Sequence, residues 1–173
     1  MSRRQTAATA QQCLWLLIHD HRTMQDLFRH LGAPGLEPAA RHALAQRACE
    51  QIRLHQQLEE EVFYAALAEK LDDTRVLDES RVEHGVIAEL ASRVVRMAPA
   101  DAGFDATVAV LGEYLNHHLR EEERDLFPQV TRAPVDFGNL FDTMTDFRRR
   151  LRAERGLAAE SAPASVLPRA RHG

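Results

Sequence analysis

Two stretches of this sequence carry nearly the same polar text. "HQQLEEEVFYAAL" runs from His55 to Leu67, and "HLREEERDLFPQV" runs from His118 to Val130. Each opens on a histidine, gathers three glutamates within the next six residues, and closes on an aromatic at its tenth position, Tyr64 or Phe127. Imidazole nitrogen and carboxylate oxygen together are ligands for first-row divalent metals. Two more histidines complete a pattern. His21 precedes His55 by 34 residues, and His84 precedes His118 by the same 34. Their flanks also agree, "DHRTMQDLF" around His21 against "EHGVIAELA" around His84. Each half of the chain therefore offers one histidine and then His-x-x-x-Glu. Similarity repeated at a fixed offset is a stronger signal than any single motif.

On a helix, side chains four residues apart lie about 6 Å from each other on one face. A histidine and a glutamate so placed reach the same pair of cations, which in dinuclear sites sit about 3.5–4 Å apart. His21, His55, Glu59, His84, His118 and Glu122 thus predict a nitrogen-rich dinuclear cage of four imidazoles and two carboxylates. A lone histidine on an apolar seam is more often a satisfied core residue, but four with matched spacing and matched flanks are not. The glutamate triplets leave Glu60 open beside Glu59, and Glu121 and Glu123 open beside Glu122. The repeat and its hairpin symmetry favour Glu59 and Glu122. Tyr114, one turn before His118, is a candidate additional site residue that could donate to, or bind, the metal. His117 and His19 fall off the seams and are expected to face solvent.

The elements that must position these groups are helices. Leu14, Leu17, His21, Met24, Phe28 and Leu31 step by three and four, the seam of an amphipathic helix. "GAPGLEP" breaks it. Leu44, Ala48, Ile52, His55, Glu59, Val62 and Ala66 form the second seam, with a turn at 71–73. Leu77, Ser80, His84, Ile87, Ala91 and Val94 form the third, ended by "APADAG". Phe104, Val108, Leu111, Leu115, His118, Glu122 and Leu126 form the fourth, which stops near Pro128 and Pro134. Four long helices with short connections predict an all-α, up-down-up-down antiparallel four-helix bundle with the dinuclear site in its core. A short fifth helix is expected near Asn139, with Leu140, Met144, Phe147 and Leu151 on one face. The expected organisation is one helical domain over 1–159, its metal-binding core at 14–130 and the additional helix at about 139–159. The Pro-, Ser- and Ala-rich tail 160–173 is expected to be disordered.

Composition excludes several function classes. A net charge of −4 gives no general pull toward nucleic acid or anionic membranes. "RRRLRAER" lacks interleaved aromatics and reads as a solvated helix face. The run "CLWLLI" is too short for a signal-peptide core, and nothing approaches the roughly 18 apolar residues of a membrane span. Two cysteines, Cys13 and Cys49, make no disulfide framework, so a soluble protein in the reducing cytoplasm is expected.

The full pattern, His21, then His55-x-x-x-Glu59, then His84, then His118-x-x-x-Glu122, resembles the hemerythrin-like HHE cation-binding family over roughly Leu14 to Val130. The resemblance implies a four-helix bundle holding a non-haem centre of two iron ions, oxo- or hydroxo-bridged when oxidised, with the two carboxylates bridging and the histidines capping. There are two departures. The hemerythrins proper add a fifth histidine one turn before the third-helix ligand, where this chain has Ser80. They also place the last carboxylate, an Asp, five residues after its histidine.

Imidazole with carboxylate suits iron, although zinc or manganese fits the same cage. Four neutral imidazoles against two carboxylates favour the ferrous state, and with it binding or moderately reducing chemistry at oxygen, peroxide or nitric oxide. The absent fifth histidine is expected to leave an additional open position. A catalase-like or peroxidase-like enzyme is the first alternative, and an iron- or oxygen-sensing module acting through a partner the second.

Overall fold

The computed structural model describes residues 3–157, and the expected tail 160–173 lies outside them. Among the described residues the chain is all-helical, with no strand. Helix α1 spans Arg3–Leu31, α3 spans Arg75–Arg96 and α5 spans Phe137–Glu154. The remaining two are compound. Helix α2 (Pro38–Leu58) continues through a π-helical turn, Glu59–Phe63, into Tyr64–Leu67. Helix α4 (Phe104–Glu121) does the same through Glu122–Leu126 into Phe127–Val130. Among the described residues, no helix is long and apolar enough to cross a membrane.

Local chemistry sets the boundaries. Pro38 opens α2 at a position whose N–H would have no helical partner anyway. Gly103 (φ 88°) supplies the left-handed residue before α4. Asp136 caps α5, its side chain accepting from the N–H groups of Gly138 and Asn139. Helix α1 packs on α2, α4 and α5, while α3 packs on both α2 and α4. Gly112 allows α4 to approach α1 closely, since a Cβ there would stand 2.7 Å from Cδ1 of Phe28. Gly85 has no such neighbour.

The apolar seams bury two separate clusters. One gathers Leu17, Leu58, Phe63, Leu67, Leu77, Leu126, Val130 and, from α5, Phe137, Leu140 and Met144. The other gathers Met24, Ile52, Ile87, Val94, Leu111, Leu115 and Leu119. Each fully buried Leu contributes about 2 kcal/mol of burial free energy. The histidines and glutamates of the repeat interrupt the seams between these clusters, so a polar layer is sealed at both ends by hydrocarbon. Cys13 and Cys49 are free and buried, and burial pushes their thiols up to about 12 and about 11.

Candidate metal centre

All six residues of the repeat meet in that layer. His21, His55, Glu59, His84, His118 and Glu122 are each no more than 2% exposed. Ligand atoms of His21, His55, Glu59 and Glu122 lie within 4.8 Å of one another, and so do those of Glu59, His84 and His118. Glu59 belongs to both groups. Its Oε2 lies 3.2 Å from His55 Nε2 and 3.4 Å from His84 Nε2. Glu122 Oε2 is the mirror case, 3.4 Å from His21 Nε2 and 3.5 Å from His118 Nε2. Each carboxylate therefore stands between one histidine of its own hairpin and one of the other.

A ring of carboxylates fixes the imidazoles from behind. Nδ1–H of His84 donates to Glu60 at 2.8 Å, that of His118 to Glu83 at 2.8 Å, and that of His21 to Glu123 at 2.8 Å. His55 Nδ1 faces Asp20 at a longer 3.6 Å, and Asp20 is held in turn by Arg148 of α5 at 2.6 Å. A neutral imidazole that donates from Nδ1 carries its lone pair on Nε2. The outer hydrogen bonds thus aim Nε2 into the cage, the arrangement metal-ligating histidines use to fix ring and tautomer. Asp20 and Glu83 sit one residue before the first and third histidines, and Glu60 and Glu123 one residue after the two glutamates. The second half of the chain repeats the first 63 positions on, as His84 follows His21 and His118 follows His55, and this repeat therefore extends to the supporting shell.

Electrostatics show what the cage requires. Burial, with the nearby charge of Glu122, pushes the Glu59 carboxyl well above its ordinary range. Burial works to raise Glu122 too, but the close approach of His21 and the positive field of the histidines hold it below the carboxylate range. Two buried carboxylates so close do not both ionise unless positive charge is supplied. His21 shows the reciprocal effect. Burial opposes its charge, yet contacts with Glu122 and Glu123 carry it up to about 9. At His55, burial dominates and drives the imidazole down to about 4. His21 Nε2, His55 Nδ1 and Nε2, Glu59 Oε1 and Glu122 Oε2 are buried with no hydrogen-bond partner. Orphaned buried polar atoms of this kind cost about 1–3 kcal/mol each. A pair of cations would satisfy those facing the cage, so the residues present fit a dinuclear metal group.

The repeat breaks at two places. Tyr64 stacks on His84 (5.6 Å, 23°) as Phe127 stacks on His21 (5.7 Å, 22°). Only Tyr64 carries a hydroxyl, which donates to Glu122 and lies 3.5 Å from Glu59 Oε2. Burial, then the two carboxylates, push that phenol well above its ordinary range, so it stays protonated. Ser80, beside Tyr64, takes the place that Leu17 holds in the first hairpin. The cage thus has one polar end, at His84 and His118, and one apolar end.

Tyr64 was not among the expected site residues, and Tyr114 was. Tyr114 is 52% exposed. The buried arc of α4 runs through Leu111, Leu115, His118 and Leu119, and Tyr114 falls outside it, so its assignment to the site is corrected. Tyr64 enters through the π turn. Nine residues beyond His55 is about two and a half turns of regular helix, which points the side chain away from the cage. At the π turn, Tyr64 N–H bonds the Glu59 carbonyl, and Phe127 N–H bonds that of Glu122. Each turn accommodates one extra residue, which rotates the aromatic inward. The sequence signal was the aromatic at the tenth position of each stretch. His117 and His19 are exposed, as expected.

An all-helical fold enclosing clustered histidines and glutamates with unsatisfied ligand atoms defines a cation-binding helical domain. The sequence profile of the hemerythrin HHE cation-binding domain matches residues 14–130, and the chain belongs to that family. Its fold is similar to the crystal structure of a hemerythrin HHE cation-binding domain-containing protein from Mycobacterium kansasii. The TM-score is 0.68 at 21% identity, covering 80% of this chain and 85% of that one. Comparison with curated proteins gives no significant match.

Proposed function

We propose that the chain is a non-haem di-iron protein of the hemerythrin-like type. Four of its helices form an up-down-up-down antiparallel bundle, and His21, His55, Glu59, His84, His118 and Glu122 hold two iron ions at its centre. The observation that carries this reading is the convergence of imidazole Nε2 atoms and carboxylates on one sealed layer, where buried ligand atoms lack partners. Glu59 and Glu122, each standing between histidines of both hairpins, would be shared by the two halves of the site. When bound, the iron pair would supply one-electron and two-electron chemistry toward oxygen, peroxide or nitric oxide.

The chain's own residues then divide the remaining work. Glu60, Glu83 and Glu123 hold three of the rings in the ligating tautomer, and Asp20 faces the fourth. The two hydrocarbon clusters exclude bulk water from above and below. Tyr64 keeps a proton at Glu122 on the polar end of the cage. A retained, positioned proton favours turnover of peroxide over simple reversible carriage, and this supports a catalase-like activity as the more specific reading. The buried free cysteines suit a reducing cytoplasm.

The test is iron loading followed by hydrogen peroxide. Gas release that scales with iron content is the expected result. A loaded protein that binds oxygen reversibly and leaves peroxide intact would be a carrier instead.

A further inference from the structure

A second group of potential ligands lies outside the cage. Ligand atoms of Glu83, His117 and Glu121 stand within 4.8 Å of one another, at the surface where α3 meets α4. His117 Nε2 lies 3.3 Å from Glu121 and is 60% exposed. Glu83 of α3 and Glu121 of α4 approach each other across the seam between the two helices. Glu83 uses its Oε2 to hold His118 Nδ1.

Glu83 and Glu121 also line a cavity of about 210 Å³. Glu79 adds to its acidic wall, and the nearby cations Arg75 and Arg124 are engaged by Asp73 at 2.7 Å and by Asp125 at 2.6 Å. Ser80 and Glu122 also line the cavity. Glu122 is 1% exposed, and its Oε2 has no hydrogen-bond partner. Leu17, fully buried, stands where Ser80 would fall in the first hairpin. The His-Glu-Glu group and the cage thus share one cavity, whose lining includes Glu83, Glu121 and the cage carboxylate Glu122.

We propose that Glu83, His117 and Glu121 form a capture site for divalent cations, from which the acidic cavity leads past Ser80 to the cage. This rests on the cage being a metal centre. Surface carboxylates raise the local cation concentration, and the His-Glu-Glu group holds an ion weakly enough to release it inward. A focused field of this kind accelerates capture by about tenfold or more, and salt screens it.

The experiment follows the uptake of cobalt(II) by metal-free protein through the growth of its visible absorption. In a His117→Ala, Glu121→Gln variant the second-order loading rate at low salt should fall about tenfold. The final cobalt content should equal that of the wild type, and the salt dependence of the rate should flatten. Asp105→Asn, an exposed acid in the first turn of α4 and about three turns from His117, is the control and should load at the wild-type rate. An unchanged rate in the double variant would overturn the proposal. So would a lowered final content, which would place these residues in the cage rather than on a path to it. Failure of the wild type itself to take up metal would instead remove the cage reading on which the proposal rests.

Discussion

The Nε2 atoms of His84 and His118 lie 3.0 Å apart, and the other nitrogen of each ring donates to a carboxylate. Neutral imidazoles so held present lone pair to lone pair, which is repulsive unless a cation lies between them. The four histidines and two glutamates are ordered by helix packing and by Glu60, Glu83, Glu123 and Asp20.

The register of the fourth helix is tested by neighbouring histidines. His118→Ala and His55→Ala should each remove most of the iron, by similar amounts, because the hairpins offer equivalent ligands. His117→Ala should keep its final iron content. Metal analysis of the three variants after identical loading checks this, and loss of iron from His117→Ala alone would shift the register by one residue.

The supporting carboxylates should matter in proportion to their distances. Glu123 holds His21 at 2.8 Å, whereas Asp20 stands 3.6 Å from His55. Glu123→Gln should weaken metal affinity about 10–100-fold, the usual cost of losing a partner behind a ligating histidine. Asp20→Asn should weaken it less. Competition with a chelator of known affinity ranks the two, and the reverse order would contradict the geometry.

Exchange of the paired aromatics tests the polar end of the cage. Tyr64→Phe should retain the fold, since Phe127 already fills the equivalent place, but it strips Glu122 of its hydroxyl donor. The expected loss is about 1–3 kcal/mol in denaturant unfolding. Phe127→Tyr should cost a similar amount by burying a hydroxyl beside the apolar end. Wild-type stability in Tyr64→Phe would mean that the hydroxyl supports nothing.

The metal-free chain should have a stability optimum near neutral pH. His21 is raised from 6.5 to about 9, burial opposing and Glu122 and Glu123 prevailing. Its contribution is complete below about 6.5 and lost as pH rises through about 9. His55 is lowered by burial from 6.5 to about 4, so its contribution is complete above about 6.5 and lost as pH falls toward about 4. Urea midpoints at acidic, neutral and alkaline pH check this. A midpoint that rises steadily from acid to alkali would contradict the assignment of His21.

The helices and the six cage residues were legible because both follow the three-and-four rhythm of a regular helix. His21, His55, His84 and His118 sit on the apolar seams and repeat with a single offset, so one pattern reports both fold and site. The supporting carboxylates follow the same offset but lie one residue away from the seam positions, where an acid looks like ordinary surface. Tyr64 was hidden for a different reason. A π turn changes the angular register within a helix, and no residue type at 59–63 announces one, so regular periodicity points Tyr64 outward. Tyr114 stands one turn before His118, but the buried arc of that helix passes through Leu111 and Leu115 and leaves it at the surface. Arg148 reaches Asp20 from α5 across 128 positions, a tertiary contact that no local pattern encodes.

The central claim is that this layer holds two cations, and metal content per chain measures it most directly. Protein produced with supplemental iron, purified without chelator and assayed for metal and protein together, should carry about two irons per chain. Chelation should then lower its melting temperature markedly, since the buried ligands lose their compensating charge. A reproducible iron content of zero, with a melting temperature indifferent to chelators, would show instead that the six residues are satisfied without metal.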